Sequence, residues 1–189
     1  MRNRLLRFFA PVALALAIGA IPAQVSAQST PSANRIYKSL SAPAPASIRR
    51  QPKVSIGALK RNSRLRKRLP SINIQSINFE FGSANIPHME FWKVGNIATA
   101  IKRIARRRRG ELFLLEGHTD AVGSERANLR LSKRRALSLK RTLVRMFGVR
   151  PHILETAGYG EYDLLVPTQR AEWRNRRVTI RRVGDVVYR

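Results

Sequence analysis

The sequence predicts an α/β fold, a βαβαββ two-layer sandwich over residues 71–189 with helices on one face of the sheet. Two observations predict it. Between residues 87 and 148, two long stretches place apolar residues three and four positions apart, the period of an amphipathic helix. Around them, short runs either alternate apolar with polar residues or are continuously apolar, as strands do. A chain of this length is large enough to hold its own core.

The elements follow in order. Ile72, Ile74, Phe79 and Phe81 alternate with polar residues on either side of Ser76, a first strand with a bulge. Gly82 to Asn85 reads as a turn, and Pro87 occupies the expected first helical position. Phe91, Val94, Ile97, Ala98, Ile101, Ile104 and Ala105 form one stripe, ending in Arg106 to Arg109 with Gly110 as cap. Leu112 to Leu115 reads as a strand covered on both faces. Ser124 then caps a helix whose buried face is Ala136, Leu139, Leu143, Val144 and Phe147, stopped by Gly148. Ile153 to Ala157 reads as a third strand, Gly158-Tyr-Gly160 as a turn, and Val178 with Ile180 as a last strand alternating with arginines.

Charge divides the chain differently. The 189 residues contain 37 Lys+Arg against 11 Asp+Glu, a formal net charge of +26, and no cysteine. Residues 1–27 contribute +3 and residues 28–79 contribute +11 without one carboxylate, leaving +12 on residues 80–189. So basic a chain has a polyanionic partner. The lack of cysteine excludes disulfides, thiol chemistry, thiolate metal sites and a lipid-bearing cysteine. With three scattered histidines, neither a metal nor a cofactor is expected.

Arg2, Arg4 and Arg7 precede the apolar run Phe8 to Ile21, and Val25-Ser26-Ala27 supplies small residues for cleavage. Residues 1–27 are therefore read as a signal peptide cut near Ala27, which directs the chain to the periplasm or the outer membrane. Residues 28–70, rich in Ser, Pro, Ala, Lys and Arg without a regular period, are expected to be a disordered basic connector. Lys60 to Arg68 holds six basic residues in nine positions. It reads equally as a clamp for an anionic membrane or lipopolysaccharide and as a solvated tether. Arg106 to Arg109 is read first as a solvated helix end, because consecutive residues point around a helix, with a dedicated anion site as the second reading.

The segment Gly117 to Ala136 reads G-H-T-D-A-V-G-S-E-R-A-N-L-R-L-S-K-R-R-A. It resembles the signature T-D-x-x-G-x-x-x-x-N-x-x-L-S-x-x-R-A of the OmpA-like C-terminal, peptidoglycan-binding domain family. Thr119, Asp120, Gly123, Asn128, Leu131, Ser132, Arg135 and Ala136 fill its fixed positions. Gly158-Tyr159-Gly160-Glu161 and Asn175-Arg176-Arg177-Val178 resemble further elements of the family, as do Phe79-Glu-Phe81 and Ser83-Ala-Asn85-Ile86. The resemblance implies a mixed sheet, and it implies non-catalytic binding of peptidoglycan through the diaminopimelate of a stem peptide, anchoring the envelope to the wall.

Diaminopimelate presents an ammonium and a carboxylate on one carbon, so its recognition takes one fixed anion and one fixed cation. By the resemblance these are Asp120 and Arg135, the arginine offering a bidentate fork that lysine lacks. Thr119, Asn85 and Arg176 match positions that line the same pocket. Asn128, Leu131 and Ser132 read as loop support and core. Without the family pattern, Asp120 would be an Asx-turn and Arg135 a structural partner of Glu116 or Asp120.

Two rival functions are weaker. A hydrolase would need His118, Asp120 and Ser124 as a triad, or Glu116 and Asp120 as paired carboxylates in an arginine-rich setting that opposes a raised pKa. Nucleic-acid binding has only the charge in its favour, with no binding motif beside it. Peptidoglycan is the expected partner and nucleic acid is not; a second copy of the chain or another envelope protein is left open.

Overall fold

The computed structural model describes residues 30–188 apart from residues 76, 78, 80 and 81. The expected signal peptide and part of the expected bulge lie outside the described residues. Four short helices come first: α1 (Ala33–Ser41), α2 (Ala46–Arg49), α3 (Ile56–Arg61) and α4 (Ser63–Lys67). Strand β1 (Ser71–Ile74), helix α5 (Phe91–Arg107), strand β2 (Phe113–His118), helix α6 (Glu125–Arg145) and strands β3 (Leu154–Gly160) and β4 (Val178–Arg182) follow.

The sheet has the order β1-β4-β2-β3. Strands β2 and β3 are parallel, as the α6 crossover requires, while β4 runs antiparallel to both β1 and β2. This is the mixed α/β sheet expected. One face is covered by α5 and α6: Val94, Ile97, Ile101, Leu139 and Leu143 pack on Phe113, Leu115, Val178 and Ile180. Helix α6 is capped by Ser124, whose Oγ accepts from the Ala127 N–H. It ends in the turn where Gly148, at φ 62°, donates to the Val144 carbonyl.

Residues 30–70 correct the expectation of a disordered connector. Ile36 and Leu40, one helical turn apart on α1, are buried with α5 in the main core. Two such side chains contribute about 3–6 kcal/mol of transfer free energy. Ala44, Ile48, Leu59 and Leu69 join Leu112, Leu114 and Val183 in a second core on the opposite face of the sheet. The βαβαββ unit keeps its long helices on one face, and the basic segment supplies cover for the other. Helices of four to nine residues are too short for periodicity to reveal, and tertiary contact stabilises them.

Because both faces are covered, the last strand is buried throughout, including its arginines. Arg182 is fully enclosed: it pairs with Glu111 and Asp185 and donates to the carbonyls of Leu40 and Ala42 at the end of α1. Arg181 forks onto Glu116 at 2.9 and 3.1 Å. Arg66 on α4 reaches the same carboxylate at 3.1 Å, pairs with Asp163, and stacks on Tyr159 at 3.8 Å. The cluster at Lys60 to Arg68 is therefore divided. Arg66 is buried, Lys60 pairs with Glu155 and Lys67 with Asp163, while Arg61, Arg64 and Arg68 are exposed.

Several element boundaries also differ from expectation: β1 ends at Ile74 with Phe79 outside any strand, and β2 starts at Phe113 and runs on to His118, beyond the expected end at Leu115. Pro87 precedes a short 3-10 turn, so α5 begins at Phe91 rather than at the proline. Ile153 belongs to another such turn, and β3 starts one residue later. Gly158 to Gly160, expected as a turn, is the end of β3. Its glycines serve close approach: a Cβ on Gly158 would lie 2.3 Å from the Lys133 backbone nitrogen.

Candidate functional site

The site forms where β2 ends and α6 begins. The His118 N–H donates to the Arg177 carbonyl and the Thr119 N–H to the Gly160 carbonyl, so the chain leaving β2 is tied to both neighbouring strands. Asn128, in the first turn of α6, reaches back to the carbonyls of Asp120 and Val122 and to the Glu161 carboxylate. This is the loop support expected of Asn128.

Helix α6 is held against the sheet at backbone distance. A Cβ on Gly117 would stand 2.2 Å from the Ser132 carbonyl oxygen, and Ser132 Oγ accepts from the Gly160 N–H at 2.9 Å. Ser132 is one helical turn before Arg135. Its contact with the two strands sets the height at which Arg135 stands beside Asp120.

Asp120 and Arg135 are each 8% exposed and line one cleft of about 640 Å³ with Thr119, Arg134 and Arg176. The Arg135 Nε donates to the Ser83 carbonyl at 3.1 Å, and its guanidinium lies 4.8 Å from the centre of the Phe79 ring. These contacts fix the plane of the fork. Burial first, then the charge of Arg176, lowers the Arg135 pKa, while Asp120 opposes them. The Asp120 carboxylate is engaged by Arg176, Nη1 to Oδ2 2.8 Å. The Thr119 hydroxyl is buried and has no hydrogen-bond partner among the described residues.

Four of the five expected site residues thus converge: Asp120, Arg135, Thr119 and Arg176. Asn85 does not; it is exposed, its N–H donates to Ser83 Oγ, and it is not among the described residues lining the cleft. Sequence reasoning missed the use of Ser83 and Phe79 as supports for Arg135. A backbone carbonyl leaves no mark in residue type, although Phe79 was visible as a strand aromatic. A second cleft of about 180 Å³ shares Phe79, Arg135 and Arg176 and adds His118, Trp173 and Arg177.

The hydrolytic constellations come apart. Ser124 caps α6, Asp120 pairs with Arg176, and the buried His118 has Glu116 as its carboxylate neighbour at 3.7 Å. Burial lowers the His118 pKa, against the opposing effect of Glu116. For Glu116, burial acts to raise the pKa, but the neighbouring His118 and the hydrogen bonds and charge of Arg181 outweigh it and hold it low. Among the described residues no group of three or more His, Asp and Glu is placed to hold a metal ion, and no helix is long and apolar enough to cross a membrane.

A sequence model of the OmpA family matches residues 78–178, more than half of the chain and all of the cleft from Phe79 to Arg176. The chain belongs to the OmpA family. It is 32% identical over 104 residues to the outer membrane porin F of Pseudomonas aeruginosa, covering 54% of this chain and 29% of that one. It is 39% identical over 75 residues to the peptidoglycan-associated lipoprotein of the same organism, covering 39% and 44%. The chain thus spans less than half the length of these two OmpA-type relatives. A solved structure of the peptidoglycan-associated lipoprotein of Burkholderia pseudomallei superposes with a TM-score of 0.46 at 23% identity, covering 56% of this chain and 87% of that one.

Proposed function

We propose that this chain binds peptidoglycan without catalysing a reaction on it and anchors the cell envelope to the wall. The observation that carries the proposal is the convergence of Asp120 and Arg135, from a loop and from the third turn of α6, in one cleft where both are largely buried. In the binding step, Asp120 accepts hydrogen bonds from the ammonium of a diaminopimelate residue, and the outer nitrogens of Arg135 hold its carboxylate. Arg176 already bonds Asp120, so the ammonium shares that carboxylate with it or displaces it. The Thr119 hydroxyl, without a hydrogen-bond partner among the described residues, is available to the same ligand.

Membership of the OmpA family and likeness to a relative named as peptidoglycan-associated support this function. They also support a location in the periplasm or at the outer membrane, with residues 1–27 as the export signal. Exposed cations of residues 30–70, among them Arg61 and Arg64, add a weaker attraction to an anionic membrane surface or lipopolysaccharide.

The test is retention on purified sacculi at low and high salt for wild type, Asp120→Ala and Arg135→Ala. High salt removes the diffuse attraction of so basic a chain and leaves specific recognition. Both substitutions are expected to abolish retention there. Variants that bind as well as wild type at high salt would overturn the assignment.

A further inference from the structure

A separate cleft of about 640 Å³ lies at the other end of β2, where the chain enters the strand through Gly110 and Glu111. Asp120 follows the exit of the same strand, so the six residues of β2 hold the two clefts roughly 20 Å apart. Five lining residues are Lys or Arg: Lys102, Arg106, Arg108, Arg109 and Arg150, with His152 beside them. The acidic residue in the lining, Glu111, is engaged by Arg182 at 3.1 Å and lies 4.0 Å from Arg108.

A helix end alone does not account for this cluster. Consecutive arginines on a continuing helix would point around its axis. Here α5 stops at Arg107, the backbone turns extended at Arg108 (φ −133°, ψ 125°), and Gly110 follows at φ 76°. Arg108 and Arg109 therefore leave the helical spiral and line the same cleft as Arg106, whereas Arg107 turns to the Tyr37 hydroxyl. Arg150 arrives independently, from the connection after α6. No carboxylate among the described residues lies within ion-pair distance of Arg106, Arg109 or Arg150.

We propose that this cleft is a binding site for a ligand carrying two or more phosphate groups close together. Guanidinium forks match phosphate oxygens two at a time, and several of them, converging from separate segments, suit an anion with more charge than one carboxylate. A cleft of this volume accommodates a small ligand rather than a single ion. The phosphates can be borne by a membrane lipid or be free in solution, and the test separates the two.

The probes are inorganic pyrophosphate, titrated calorimetrically, and phosphatidylcholine vesicles with and without cardiolipin, whose headgroup carries two phosphates. The cleft variant is Arg109→Gln with Arg150→Gln. The control, Arg126→Gln with Arg130→Gln, removes the same charge from exposed positions on α6 outside this cleft. Arg150→Gln alone, exposed and outside any α-helix, provides a single-site check, and urea midpoints establish that each variant is folded.

The cleft pair is expected to weaken binding at least about tenfold and the control pair less than about twofold. That pattern with pyrophosphate identifies a soluble ligand; the same pattern confined to cardiolipin vesicles identifies a lipid-borne one. Equal losses in both pairs, or no binding of either probe by wild type, would overturn the proposal.

Discussion

Arg176 Nη1 stands 2.8 Å from Asp120 Oδ2, while Arg135, in the same cleft, bonds through Nε to the Ser83 carbonyl. The two arginines therefore have different duties toward one carboxylate. Arg176 is half exposed and bonds the carboxylate directly, whereas Arg135 is buried and held by a backbone carbonyl. Arg176→Gln is expected to lower retention on sacculi at high salt by less than Asp120→Ala does, because the fixed anion and the fixed fork both survive. A loss as complete as that of Asp120→Ala would make Arg176 part of the essential pair.

Arg135→Lys tests the fork itself. Lysine keeps the charge but loses the planar donor set, the Ser83 bond and the stacking on Phe79. Retention at high salt is expected to fall about tenfold or more with the urea midpoint little changed. Unchanged retention would mean that charge alone suffices.

Gly117→Ala should destabilise the fold by about 2 kcal/mol or more, because the new methyl would stand 2.2 Å from the backbone oxygen of Ser132. Neither a strand flanked by two others nor the middle of α6 can yield cheaply. Urea denaturation measures the loss, and an effect below about 0.5 kcal/mol would show that α6 shifts freely.

Arg66→Met should loosen the basic segment. It strips one partner from Glu116 and one from Asp163 in a nearly dry network, at a cost of about 3 kcal/mol. Limited proteolysis is expected to cut first within residues 56–69. Protection equal to wild type would mean that the apolar contacts of Leu59 and Leu69 suffice.

Stability should fall on acidification in two stages. Burial holds the His118 pKa below its ordinary 6.5, so as pH falls below 6.5 the unfolded chain takes up the proton first and stability declines. Glu116 and Asp163 are held low despite burial, Glu116 by His118 and Arg181 and Asp163 by Lys67 and Arg66. Their contribution is present above 4.5 and 3.8, and is lost as pH falls through their lower folded values. Glu111, raised by burial, works in the opposite sense just above 4.5. Urea midpoints measured from neutral pH downward should show the first stage in wild type and not in His118→Gln.

The two long helices, the cap at Ser124 and the strands that carry Phe113 and Val178 were legible in the sequence, because each is encoded by local periodicity and capping. That Asp120 and Arg135 line one cleft was legible for another reason: both belong to one contiguous signature, fifteen residues apart, on a loop and the helix that follows it. Gly158 to Gly160 was misread because glycine marks a turn and a close approach alike, and the difference lies in α6 packed above it.

Residues 30–70 were opaque to local reasoning. Ile36, Leu40, Ile48, Leu59 and Leu69 look scattered along the chain, and they share an environment only after the sheet exists to receive them. The same holds for the charge. Composition alone determined that the chain carries +26, with 37 Lys+Arg against 11 Asp+Glu. Tertiary structure decided which cations are spent internally, as Arg66, Arg181 and Arg182 are, and which converge, as Arg106, Arg109 and Arg150 do. Periodicity and capping act over a few neighbours, whereas pairing and convergence join residues that only folding brings together.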